Sequence, residues 1–185
     1  MHIYPNLWAG GLLAVHSSGR QRYYRLAGPE VAHALEALGA ISTKTSPVPN
    51  HRPRANHDLY NARSCYDHLA GRIAVELARA LEQSQIIRRA GESQYELGSK
   101  GHGWFTHLGI DVDQLPHSRR SLARQCIDWT ERRPHLSGAL GAALFSRFIA
   151  LGWFARRRGS RALSILPAGA RELKERFSIL PAQRT

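Results

Sequence analysis

The stretch Gly11-Leu12-Leu13-Ala14-Val15-His16-Ser17-Ser18-Gly19-Arg20-Gln21-Arg22-Tyr23-Tyr24-Arg25-Leu26 sets two strand-like runs around one glycine, and Gly28-Pro29-Glu30 then opens a helix. Glycine supplies the positive φ that a tight turn between twisted strands requires. Proline suits the first helical turn, where its missing N–H costs nothing. The same order returns twice further along the chain. Ile86-Ile87-Arg88-Arg89 turns at Gly91 and comes back as Gln94-Tyr95-Glu96-Leu97 before Gly101. Trp153-Phe154-Ala155-Arg156 turns at Gly159 and comes back as Arg161-Ala162-Leu163-Ser164-Ile165 before Pro167-Ala168-Gly169.

Helix, strand, glycine turn, strand and helix make up the back half of a winged-helix DNA-binding domain. The expected fold is therefore α+β and predominantly helical, built of winged-helix-like units that each carry helices and a small antiparallel β-hairpin wing. Residues 1–41 form the first unit, whose helix has Val31, Leu35, Leu38 and Ile41 at the spacing of one buried stripe. From Ser42 the chain turns to Ser, Thr, Pro, Asn and His, with Pro47, Pro49 and Pro53 opposing regular structure, so 42–60 reads as a linker.

The remainder, 61–185, reads as a duplication. Ala62-Arg63-Ser64-Cys65-Tyr66-Asp67-His68-Leu69-Ala70-Gly71 parallels Ala123-Arg124-Gln125-Cys126-Ile127-Asp128 and, after an insertion at 129–134, His135-Leu136-Ser137-Gly138. The offsets from Gly71 to Ile86 and from Gly138 to Trp153 are equal. Two related units, 61–115 and 122–180, are expected to pack together as a sensor or dimerisation domain. Leu69, Ile73, Leu77 and Leu81 in one and Leu140, Leu144, Phe148 and Leu151 in the other predict amphipathic core helices.

With 185 residues and 43% hydrophobic content the chain can bury a core. No apolar run reaches the length of a membrane span, and no signal peptide opens the chain, which points to the cytoplasm and away from membranes. A net charge of +12 makes a polyanion the natural partner. The charge comes from 23 Arg against 3 Lys, a bias that high-GC coding also produces. Its distribution is more informative, with +7 of the total falling in residues 126–185.

At Gly10 to Val15 and Gly19 to Leu26 the chain resembles the ArsR-type winged-helix transcription regulators, in which an apolar step ends the recognition helix and a basic Gly-Arg-x-Arg-Tyr-Tyr-Arg-Leu hairpin forms the wing. The stretches at 65–71 and 126–136 look like the C-terminal extension of a long subgroup of that family. The resemblance implies a DNA-binding repressor-type regulator that acts as a homodimer on double-stranded DNA. Family members place a helix-turn-helix before the wing, whereas Met1 to Trp8 cannot supply one, so the chain reads as N-terminally truncated or begun at an internal methionine. A truncated, non-DNA-binding dimerisation module is the alternative.

Two sets of residues carry the candidate chemistry. Arg20, Arg22, Tyr23 and Arg25 in the first wing are expected along DNA phosphates with an aromatic turned to the core, and Arg156, Arg157, Arg158 and Arg161 crowd the third turn as a phosphate clamp. Solvated basic turns are the competing reading of both. Cys65, Asp67 and His68 recur as Cys126, Asp128 and His135, and thiolate with imidazole suits zinc or another soft divalent metal. Yet their spacings differ and neither contains CxxC or HxxxH, so duplicated packing and a helix-capping Asp weigh more, and no metal ligand is assigned. A redox pair of Cys65 and Cys126 weighs less still. No serine elbow, phosphate-cradling glycine loop or HExxH helix is present, so an enzyme is not expected.

Overall fold

The computed structural model describes residues 5–19, 21–42, 54–115 and 121–181. The first unit runs α1 (Pro5–Ala9), β1 (Leu13–Ser18), β2 (Gln21–Leu26) and α2 (Pro29–Ser42). β1 and β2 pair antiparallel from Leu13↔Leu26 to Ser18↔Gln21, and Gly19 makes the turn with φ +57°. The stretch read as a linker lies partly outside the described residues, and from Arg54 onward it is helical in α3 (Arg54–Asn61).

The duplicated region follows one element order twice. The first repeat is β3 (Arg63–Cys65), β4 (His68–Ala70), α4 (Arg72–Gln83), β5 (Ile87–Ala90), β6 (Gln94–Leu97) and α5 (Gly101–His107). The second is β7 (Arg124–Ile127), β8 (Pro134–Ser137), α6 (Gly138–Ala150), β9 (Phe154–Arg156), β10 (Leu163–Ile165) and α7 (Pro167–Phe177). Each repeat thus opens with a hairpin in front of its long helix and closes with a glycine-turn hairpin and a second helix.

The expectation of a predominantly helical fold is overturned. Among the described residues ten strands accompany seven helices, and every strand pairing is antiparallel, so the fold is mixed. The strands missing from the sequence reading are β3, β4, β7 and β8. They are three or four residues long, and β3 and β4 are buried at every position. Such strands show no alternation of apolar and polar residues, which is the signal a half-exposed strand writes into sequence. The stripe through Leu69 is accordingly split, with Leu69 in β4 and only Ile73, Leu77 and Leu81 on α4. Leu151 lies just past α6 and is exposed.

The two repeats interlock reciprocally. The wing of the first pairs with the opening strand of the second, as Tyr95 N–H donates to Ala123 O (3.2 Å) and Gln125 N–H to Ser93 O (2.9 Å). The wing of the second returns the exchange, with Leu163 N–H donating to Ala62 O and Ser64 N–H to Arg161 O, both at 2.9 Å. Helices cross over in the same manner, α4 packing on β8 and α6 on β4. One apolar core results, in which Ile73, Leu77, Leu81, Leu140, Phe145 and Phe148 join residues of both wings. Phe148 stacks on Trp153 at 4.4 Å, and each such fully buried side chain stabilises the fold by roughly 1.5–3 kcal/mol relative to exposure.

Close approach at the junctions depends on two equivalent glycines. Gly71 (φ +91°) immediately precedes α4 and Gly138 (φ +84°) is the first residue of α6, and a Cβ on them would meet Tyr60 O at 2.8 Å and Ser121 O at 2.7 Å. Only glycine combines that backbone conformation with that lack of space.

The first unit rests on the duplicated region by a narrow strip of α2. Ala32 and Glu36 are buried, and a Cβ on Gly39 would touch the Trp129 side chain at 3.3 Å. The stripe expected to be buried faces the other way. Leu35, Leu38 and Ile41 are 51%, 61% and 60% exposed, because the small and acidic side of the helix makes the contact.

Candidate functional site

The first wing projects its basic residues into solvent. Cross-strand partners share a face, so the pairing Ser17↔Arg22 and Val15↔Tyr24 puts Arg22 with Tyr24, while Ala14↔Arg25 and His16↔Tyr23 put Arg25 with Tyr23. The two arginines therefore lie on opposite faces of the hairpin. Neither tyrosine turns inward, Tyr23 being 53% and Tyr24 40% exposed, so the expected core-facing aromatic is absent from this two-stranded ribbon. Arg20 lies outside the described residues.

The third turn is engaged differently. Arg157 forms an ion pair with Asp58 at 2.6 Å and donates to Ser164 Oγ at 2.9 Å. Arg161 pairs with Glu36 at 3.2 Å, and the Arg156 guanidinium lies 4.9 Å from the Phe145 ring centroid. Arg158 is exposed. Three of the four arginines grouped by sequence are thus joined to other parts of the chain, which competes with phosphate binding.

The second candidate set converges. In the β3–β4 hairpin Cys65 sits directly opposite His68, and in the β7–β8 hairpin Cys126 sits directly opposite His135. The unequal sequence spacings are absorbed by the connecting turns, which differ in length while the strand register does not. β4 lies against β8, and the two imidazole rings are 5.1 Å apart. One donor atom from each of Cys65, His68, Cys126 and His135 lies within 4.8 Å of the others, and all four residues are buried. Both cysteines are free thiols.

Each histidine has an aspartate beside it. His68 Nδ1 lies 3.3 Å from Asp67 Oδ1, and His135 Nδ1 lies 3.6 Å from Asp128 Oδ2. The neighbouring Cys126 and burial push the Cys65 thiol up, against a lesser opposing pull from His68. Burial disfavours the charged imidazole of His68, but its hydrogen bonds with Asp67 and Cys65 prevail and raise it above the ordinary histidine range.

Asp128 is the junction of this site. Its Oδ1 accepts from Thr130 N–H (2.9 Å), Thr130 Oγ1 (2.6 Å) and Glu131 N–H (3.1 Å), closing the turn of its own repeat. Its Oδ2 accepts from Gly71 N–H at 2.7 Å, at the start of the other repeat's helix, and from Arg63 Nη2 at 2.9 Å. Burial works against this carboxylate, yet Arg63, His135, Thr130 and the Gly71 N–H outweigh it and hold its carboxyl down at about 2. Arg63, fully buried, also lies 3.7 Å from Glu36 of α2 and 5.0 Å from the Trp129 ring centroid. Sequence reasoning passed over Arg63, since nothing local distinguishes it from the other arginines.

A comparison with known protein families finds no match, and no solved structure matches. The chain is 38% identical over 158 residues to the uncharacterized HTH-type transcriptional regulator YdfF of Bacillus subtilis (strain 168), a match covering 85% of this chain and 70% of that protein. This chain belongs to that family of HTH-type transcriptional regulators. The match is too long to be confined to residues 1–60, so the similarity extends into the duplicated region. None of the helices among the described residues is long and apolar enough to cross a membrane.

Proposed function

We propose that the chain is an ArsR-like cytoplasmic regulator that binds double-stranded DNA as a homodimer, with the β1–β2 wing gripping the phosphate backbone and the duplicated region receiving the signal. The observation that carries this reading is the exposed hairpin bearing Arg22 and Arg25 on its two faces, beside Tyr23. A ribbon with a cation on each face can touch both walls of a groove, which gives affinity more than sequence specificity. The third turn is left out of the grip, because Arg156, Arg157 and Arg161 have partners within the chain.

Fluorescence anisotropy with duplex DNA across a salt series tests it. Binding should weaken linearly in the logarithm of salt, and Arg22→Ala and Arg25→Ala should each lower the slope by about 0.9, the value of one phosphate contact. Absent or salt-independent binding overturns the DNA reading. A second reading, an interaction module that does not bind DNA, is favoured by the exposed apolar face of Leu35, Leu38 and Ile41. It would leave self-association intact in the same preparation that fails to bind DNA.

A further inference from the structure

We infer that Cys65, His68, Cys126 and His135 form a closed Cys2His2 site for a soft divalent cation, zinc first among them, to which each repeat contributes one cysteine and one histidine. The inference goes beyond the regulator reading and does not depend on DNA binding.

Three observations carry it. The donor set is of the right type and number, because two thiols and two imidazoles complete a tetrahedral zinc shell. A tetrahedral ion with Zn–S near 2.3 Å and Zn–N near 2.0 Å holds its ligands about 3.3–3.8 Å apart. The present spread, with all donors within 4.8 Å, closes to that by about 1 Å of side-chain adjustment. Second, the donors are placed by strand register in both hairpins, Cys opposite His each time, although the turns between them differ. Packing alone explains a buried cysteine, but it does not require a histidine facing it twice at the junction of the repeats.

Third, both histidines carry the support that metal-bound imidazoles have. Asp67 lies within hydrogen-bond reach of His68 Nδ1 at 3.3 Å and Asp128 within ion-pair reach of His135 Nδ1 at 3.6 Å, and a proton on Nδ1 leaves Nε2 with the lone pair that coordinates a cation. All four ligands come from the protein and are buried, so no position remains for a reacting water, as in structural rather than catalytic zinc sites. Bound in this way, the ion cross-links β3–β4 to β7–β8 at the point where the repeats meet.

The test uses the full chain stripped by a chelator under reducing conditions and then titrated with Co(II) and Zn(II). About one cobalt per chain should bind, with thiolate-to-cobalt charge-transfer absorption in the near ultraviolet and the visible bands of tetrahedral cobalt, and zinc should displace it. Cys65→Ser and Cys126→Ser should each lose about half of the charge-transfer intensity. If a variant does not fold, the wild-type intensity, expected for two thiolates, decides. Wild-type protein without charge-transfer bands, or folded Cys65→Ser and Cys126→Ser variants with unchanged spectra, overturns the proposal. So does a Cys65–Cys126 disulfide that intact mass shows to persist in metal-supplemented protein kept under reductant.

Discussion

Arg63 is a guanidinium with no exposure to solvent, and its companion Asp128 is equally buried. Such a pair returns little net stability against two hydrophobic residues, but removing one partner strands the other charge in the interior. Asp128→Ala therefore should cost about 3–5 kcal/mol in urea unfolding. The loss includes the Gly71 N–H and Thr130 contacts that Asp128 accepts. The double variant Arg63→Met/Asp128→Leu should recover much of it, since neither charge remains. A single variant less than about 1 kcal/mol below wild type would show that the carboxylate is not the junction described here. None of this was legible in sequence. An Asp that caps a helix was the expectation for Asp128, whereas it accepts from the N–H of Gly71, the residue just ahead of a helix in the other repeat, a partner that only tertiary structure supplies.

At the level of elements, legibility follows the strength of local signals. Hairpins at Gly19, Gly91 and Gly159 are written in the chain because each needs positive φ at one residue between two runs of strand-forming residues. Hairpins β3–β4 and β7–β8 are not, being only three or four residues to a strand, and the pairing of each Cys with its His depends on register rather than spacing. Glycine ahead of α4 was visible, but its purpose was not. Gly71→Ala should destabilise by about 1–3 kcal/mol from backbone strain alone, with the 2.8 Å approach to Tyr60 O adding to it. A thermal midpoint equal to wild type would contradict that strain. The α2 stripe was read correctly as apolar and wrongly as buried, because periodicity reports a face without saying what covers it. Leu35→Ser/Leu38→Ser should leave the unfolding midpoint within about 0.5 kcal/mol of wild type, as surface changes do. If that face joins two copies, the same variant should shift sedimentation from dimer to monomer. An unchanged dimer would place the subunit contact elsewhere.

At the level of the whole molecule, the reciprocal exchange of wings makes the two repeats one body, and the proposed metal site sits where that body is joined. From His135 a run of contacts leads through Asp128 and Arg63 to Glu36 of α2, and α2 packs on β2 of the wing. Glu36 also holds Arg161 of the third turn, so one helix receives contacts from both repeats. A ligand shifts an equilibrium only by its difference in affinity between two states, so metal binding alters DNA affinity only if the wing's conformers differ in the metal site. If this route couples them, zinc-loaded and metal-free protein should differ in duplex Kd by about 5-fold or more at fixed salt. By thermodynamic reciprocity, DNA must change zinc affinity by the same factor. Glu36→Gln keeps the shape of the side chain and removes its charge, and should shrink the coupling while leaving cobalt spectra unaltered. Equal Kd values in the two forms would make the ion a structural cross-link without a signalling role. A coupling that survives Glu36→Gln would mean that the contact between Gly39 and Trp129, rather than the buried charges, carries the effect from the hairpins to the wing.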